Sequence, residues 1–183
     1  MGLFSSLFGG GSKSGGTSSP KTIKSDTGAF TTGVEEIVVP MIRVAFTPPA
    51  GFSPFTAIIK EQKATDVRIA NPSLMGSPGM ITALLYPSDG ISIEERVEQF
   101  LSKASDEVVQ RTSRRSPPGV AITYLHLAGK PPGKDKTQHT VYCFFVNDAG
   151  QNASLHCVGS TEEHALAAGE AFALTLRLAP PGQ

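Results

Sequence analysis

The stretch that most constrains the fold of this chain lies near its C-terminus, at residues 140–178. Residues 141–146 form an apolar run of aromatic and β-branched side chains, and residues 153–158 form a second run of the same character. The short polar loop between them contains Gly150, and glycine readily takes the positive φ that hairpin turns need. The two runs therefore predict a β-hairpin.

A helix is predicted directly after this hairpin. Thr161 supplies a hydroxyl that caps free amides, and Glu162 and Glu163 suit the positive end of the helix dipole. Apolar or small side chains recur at helical spacing from Leu166 to Leu176. We therefore expect one apolar stripe that packs on a sheet.

The rest of the chain adds several strands and one more helix. Ser92 and Glu95 form a capping box that predicts a helix ending near Ser105. Residues 80–86 are apolar on both faces, as expected of a covered central strand. Because strands follow one another along the chain, we predict an α+β fold: an antiparallel β-sheet covered by helices on both faces.

Composition limits the classes of function. The chain has 183 residues, enough for one domain, with 16 basic and 16 acidic residues and a formal net charge of zero. This balance argues against a nucleic-acid-binding protein, which usually shows a basic excess. No apolar run is long enough to span a membrane, and residues 1–11 lack the pattern of a secretory signal. The predicted location is the cytoplasm, where thiols stay reduced.

The N-terminal residues divide into two predicted segments ahead of a domain at 34–178. Residues 1–8 form an amphipathic segment, and residues 9–33 form a flexible linker rich in glycine and serine. A helix over residues 1–8 would place four large apolar side chains on one face: Leu3, Phe4, Leu7 and Phe8. Such a face favours a hook for a membrane surface or a partner's groove. A frayed end, or N-myristoylation at Gly2, are the competing interpretations.

Two further groups of residues are candidate partner contacts. Leu74 and Met75 lie in a predicted loop at 71–79, where they would either contact a partner or cap a local apolar cluster. Arg111, Arg114 and Arg115 lie in a predicted basic loop before Pro117, which would either dock an anionic group or form a solvated turn.

The cysteines and histidines offer the chemistry of an alternative function. If residues 149–150 form a two-residue turn, Cys143 pairs with His156, and the two cysteines point to opposite faces of the hairpin. If the loop has one more residue, Cys143 lies opposite Cys157 instead. Thiols in a covered sheet are packing residues. His139, His156 and His164 lie near Cys143 and Cys157 in the sequence, which makes this group a candidate zinc site, but the spacing matches no zinc-binding motif. We therefore predict no catalytic residue, metal or cofactor.

Several stretches together resemble the PsbP-like superfamily. They are residues 44–52, the Tyr86–Pro87 end of a strand, the helix at 92–100, and the closing hairpin and helix at 142–178. This superfamily includes the extrinsic photosystem II subunit, a Ran-binding nuclear-import factor, DcrB-type bacterial proteins and chaperones for secreted effectors. The resemblance implies an α/β/α sandwich around an antiparallel sheet and a non-catalytic binding role.

The sequence thus favours a binding or adaptor module that is not an enzyme. We expect it to hold a protein or peptide partner, to bind no nucleic acid, and to use residues 1–8 for membrane or complex association. It would lie in the cytoplasm or at the membrane periphery. One alternative is a thiol- or metal-dependent enzyme built on Cys143, Cys157 and nearby histidines. Another is a chaperone for a secreted effector, which would need an exposed apolar groove.

Overall fold

The computed structural model describes residues 21–25, 28–32, 35–55 and 68–179. Within these residues the secondary-structure elements, in chain order, are β1 Lys21–Ser25, β2 Gly28–Thr32, β3 Ile37–Val39, β4 Val44–Phe46, β5 Phe52–Phe55, β6 Arg68–Gly76, β7 Gly79–Leu85, α1 Ile93–Leu101, β8 Glu107–Arg115, β9 Ala121–Gly129, β10 Gln138–Val146, β11 Asn152–Gly159, α2 Glu162–Thr175 and β12 Arg177–Leu178.

Ten of these strands form two antiparallel sheets. The larger sheet has seven strands in the order β5-β6-β7-β11-β10-β9-β8, and the smaller has three in the order β12-β4-β3. Every pairing in both sheets is antiparallel. Strands β1 and β2 pair with each other as a separate antiparallel hairpin.

The main core lies between one face of the large sheet and a layer made of α2 and the small sheet. Ala165, Ala168 and Phe172 of α2 are fully buried in the same cluster as Cys143 of β10 and Cys157 of β11. The small sheet joins this layer because the ring of Phe46 on β4 meets the ring of Phe172 edge-on, with centroids 5.3 Å apart. Helix and small sheet therefore share one apolar contact surface.

The opposite face of the large sheet carries a smaller cluster under α1. Val97 of α1 is buried against Leu125 and Phe144. Phe100 lies over Tyr142, with ring centroids 4.7 Å apart. A helix of nine residues is only about 14 Å long, whereas seven strands extend over about 29 Å. This helix is therefore too short to cover that face.

The predicted α+β fold, an α/β/α sandwich with helices covering both faces, is wrong. The described part of the chain is mostly β, with 46% strand and 18% helix, and it contains only two helices. The physical reason is that segments predicted as loops extend as strands: residues 71–76 belong to β6 and residues 113–115 to β8. The small sheet also occupies part of the layer beside α2, where the prediction placed helices alone.

The local predictions at the two helix starts are confirmed. The Thr161 hydroxyl accepts a hydrogen bond from the His164 amide at the start of α2. Ser92 and Glu95 form the expected capping box at the start of α1. That helix ends at Leu101, earlier than predicted, because the chain turns through residues 102–106 to enter β8.

The closing hairpin is present, but with a register that the two-residue turn did not predict. Cys143 pairs with Leu155, and Val146 pairs with Asn152, so five residues form the loop. The Asn147 side-chain oxygen accepts hydrogen bonds from the amides of Ala149 and Gln151 and holds this longer loop closed. Residues 143 and 157 therefore share the α2 face of the sheet, and the prediction of opposite faces is wrong.

The N-terminal predictions fall partly outside the described residues. The amphipathic segment at 1–8 and the linker as far as residue 20 lie outside them. Within the predicted linker, β1 pairs with β2, with Lys21 opposite Thr32 and Ser25 opposite Gly28.

Gly169 marks the closest approach of α2 to the sheet. A Cβ added there would lie 2.5 Å from Val141 Cγ1 and 2.7 Å from Tyr124 Cε2. We predict that Gly169→Ala lowers the free energy of unfolding by about 1–3 kcal/mol, because the helix must move off the sheet. This opposes the gain of up to about 1 kcal/mol that alanine brings by helix propensity.

Urea unfolding monitored by circular dichroism measures this change. Ala167→Gly in the same helix is the control, since it removes propensity without adding a clash. A Gly169→Ala protein as stable as the parent would contradict the close approach.

Candidate functional site

Strand β8 forms one edge of the large sheet, and seven of its nine residues are exposed. Among the described strands it pairs with β9 alone. Residues 107–111 are all exposed, including Val108 at 44% and Val109 at 50%. A register shift between Val108 and Gln110 makes a bulge at this end. An edge strand presents unpaired backbone amides and carbonyls that another chain can bind.

The three arginines lie in β8, so the prediction of a basic loop is wrong. The chain turns only after them, where the Ser116 amide donates to the Val120 carbonyl. Arg111 is exposed and pairs with Glu98 of α1 at 2.7 Å. Arg115 is exposed and donates to the Gly119 carbonyl.

Arg114 differs from the other two arginines because it points to the α2 side. Its guanidinium lies over the ring of Tyr124, 4.3 Å from the centroid, and pairs with the buried carboxylate of Glu170. A buried acid needs such a partner to stay charged. Arg114 therefore fastens α2 to the sheet, while Arg111 and Arg115 remain accessible along the edge.

The candidate contact pair at Leu74 and Met75 is divided between core and surface. Both residues belong to β6, and a tight turn at residues 77–78 connects this strand to β7. The prediction of a loop at 71–79 is therefore wrong. Leu74 is 1% exposed and packs in the main core, whereas Met75 is exposed at 38%. Of the pair, only Met75 is accessible to a partner. The other apolar candidates, Leu3, Phe4, Leu7 and Phe8, lie outside the described residues.

Cys143 and Cys157 are free thiols inside the main core. Burial raises the pKa of Cys143 far above its ordinary value and raises that of Cys157 to about 12. His156 lies on the opposite face of the sheet, stacked on Tyr142 with ring centroids 5.0 Å apart. Its own pKa falls to about 4 through burial. The predicted pairing of Cys143 with His156 is therefore wrong, and His156 lies on the other face of the sheet from both thiols.

A different set of titratable side chains does meet, at the N-terminal end of α2. His126 of β9 and His139 of β10 are diagonal neighbours on the α2 face. The distance from His126 Nε2 to His139 Nδ1 is 3.1 Å, and that from His139 Nδ1 to Glu162 Oε1 is 3.9 Å. All three candidate ligand atoms lie within 4.8 Å of one another. We call these three residues the His–His–Glu cluster.

The electrostatics of the His–His–Glu cluster disfavour the charged form of His126. Burial lowers the pKa of His126, and the neighbouring His139 lowers it further, while Glu162 acts in the opposite direction. The ring nitrogens of the two histidines share a hydrogen bond, so only one of them carries the hydrogen between them. The remaining lone pair is the chemical feature that a cation would use.

Sequence analysis missed this cluster because its members are far apart in the chain. His126 and His139 come together only when β9 and β10 pair, and Glu162 joins them only when α2 docks. The candidate zinc group in the sequence combines His139 with the cysteines and His156. In the structure this group is divided, because His156 lies on the opposite face of the sheet from the other three. In the sequence, Glu162 indicates only a favourable contact with the helix dipole.

The buried thiols generate a prediction about reactivity. At pH 8.5, where an exposed thiol is about half ionised, Cys143 and Cys157 should stay protonated and unmodified by iodoacetamide in the native protein. Both should be labelled in 6 M guanidinium chloride. Mass spectrometry after a timed exposure measures the two extents, and rapid native labelling at either residue would contradict the burial that we describe.

In the described part of the chain, no helix has the length and apolar character needed to cross a membrane. Comparison with known proteins finds no protein-family model that matches the chain and no curated protein that matches its sequence. These comparisons do not identify the PsbP-like superfamily, and the resemblance stays a prediction.

Proposed function

We propose that this protein is a non-enzymatic binding module that holds an extended segment of a partner protein along the free edge of β8. The proposal places it in the cytoplasm, where two buried thiols on neighbouring strands stay reduced. The observation that carries the proposal is the exposure of β8, whose nine residues form one edge of the large sheet.

Binding at such an edge follows from backbone chemistry. An extended peptide that adds a strand gains main-chain hydrogen bonds along the edge, and the side chains on alternate positions give specificity. The bulge at Val108–Gln110 limits regular pairing at one end. The continuous register from Gln110 to Arg115 is therefore the part of β8 best suited to accept a strand.

The side chains of β8 indicate the chemistry of the partner segment. Arg111 and Arg115 are four residues apart, so they project from the same face of the strand. Val108 and Val109 add an exposed apolar area at the other end. A partner that alternates acidic and apolar residues would meet both features, and charge complementarity would fix its register.

The alternatives raised by the sequence have less support. A thiol enzyme would need an ionised, accessible cysteine, and both cysteines are buried with raised pKa values. A chaperone for apolar helices would need a continuous apolar groove. In the described residues the exposed large hydrophobic side chains are spread over three strands, as Met75, Val108, Val109 and Val146.

The proposal retains residues 1–8 as a hook for a membrane surface. This part rests on the spacing of Leu3, Phe4, Leu7 and Phe8, which lie outside the described residues. Four large apolar side chains on one helical face would bury their surface in the headgroup boundary of a bilayer.

An NMR titration tests the edge-binding proposal. The probe is a seven-residue peptide that alternates glutamate and valine, added to ¹⁵N-labelled protein. We expect amide shift changes along residues 107–115 and on β9. Val109→Glu should weaken binding at least about tenfold, because it replaces an apolar contact with a carboxylate that repels the glutamates of the peptide. Shift changes confined to other strands would overturn the proposal.

Two controls make this titration specific. Val146→Glu changes a similarly exposed valine, at 42%, on an interior strand and should leave binding unchanged. A peptide that alternates lysine and valine should bind more weakly than the acidic peptide, because it would face Arg111 and Arg115. Equal binding of the two peptides would remove the charge argument.

Deletion of residues 1–10 tests the hook. The intact protein should sediment with vesicles of anionic phospholipid, whereas the shortened protein should stay in the supernatant. Equal sedimentation of the two proteins would exclude a membrane role for this segment. The edge-binding titration should give the same result with either protein.

A further inference from the structure

We infer that His126, His139 and Glu162 form a binding site for one zinc ion, which joins β9, β10 and the first turn of α2. The site lies on the α2 face of the sheet and uses no residue of the proposed peptide-binding edge. The inference therefore stands or falls independently of the proposed function.

The donor atoms suit zinc in type and number. Two imidazole nitrogens and one carboxylate oxygen match the nitrogen and oxygen ligands that zinc takes in proteins, and three protein ligands leave a fourth position for water. Imidazole donors disfavour magnesium and calcium, which prefer oxygen ligands. Among common divalent cations this set therefore selects zinc or a neighbouring transition metal.

The distances also suit a tetrahedral ion. With metal–ligand bonds of about 2.0–2.2 Å, two ligand atoms on such an ion lie about 3.3 Å apart. The two histidine nitrogens are separated by 3.1 Å, close to this value. The separation of 3.9 Å between His139 Nδ1 and Glu162 Oε1 requires a small closing movement. Glu162 has a half-exposed side chain and is free to make that movement.

The surroundings prepare the histidines for a cation. His126 is 2% exposed, held between its strand neighbours and the end of α2. The facing nitrogens of the two rings share one hydrogen. A cation between them would use the lone pairs of both rings and the charge of Glu162 together.

Zinc titration of protein treated with EDTA tests the inference. Isothermal titration calorimetry and metal analysis should give one zinc per chain. At a free zinc concentration a hundredfold above the dissociation constant, the Tm should rise by about 5–10 °C. No zinc uptake at micromolar free zinc, or uptake without a rise in Tm, would overturn the inference.

Three variants locate the ion. His139→Gln and Glu162→Gln should each weaken zinc binding at least about tenfold and reduce the Tm shift. His164→Gln is the matched control, because His164 lies in the same turn of α2 but bonds to Ser160. It should bind zinc like the parent. Should His139→Gln fail to fold, the half-exposed Glu162→Gln decides the outcome; parent-like binding by that variant, or an equal loss in His164→Gln, would overturn the assignment.

Discussion

The close contact of α2 with the large sheet is the constraint on which most of the structure depends. Gly169 lets the helix backbone approach Val141 and Tyr124, and this distance permits the small side chains of Ala165 and Ala168 to pack without gaps. The same docking buries the thiols, brings Glu170 to Arg114, and sets Glu162 above the two histidines. The absence of a side chain at Gly169 thus allows the core, the ion pair and the candidate metal site to form.

Structural features that depend on residues close together in the sequence were predicted correctly. Features that depend on contacts between distant residues were missed. The caps at Ser92 and Thr161 and the apolar runs of the closing hairpin depend on local spacing, and the structure contains all of them. The extent of β6 and β8 could not be predicted, because Pro72 and the arginines are typical of loops unless a partner strand holds them. The predicted α/β/α sandwich was wrong for the same reason, because segments expected to be loops or helices form additional strands.

The two proposed sites lie on adjoining strands but use different chemical groups. Gln110 of β8 pairs with His126 of β9, so the exposed edge is one strand away from the His–His–Glu cluster. The edge offers backbone hydrogen bonds and arginine charges, whereas the cluster offers side-chain lone pairs beneath a helix. Neither site could be found from a motif, since one is defined by sheet order and the other by strand pairing together with helix docking.

The five-residue loop after β10 has a consequence for how this protein tolerates change. The side-chain oxygen of Asn147 accepts the two hydrogen bonds that close that loop. The length of the closed loop then fixes which side chains of β11 point toward α2. Losing or gaining one residue there would turn the strand over, bringing His156 inward and Cys157 outward. Natural variation in this loop should therefore retain Asn147 and be strict in length, with any accepted insertion adding two residues.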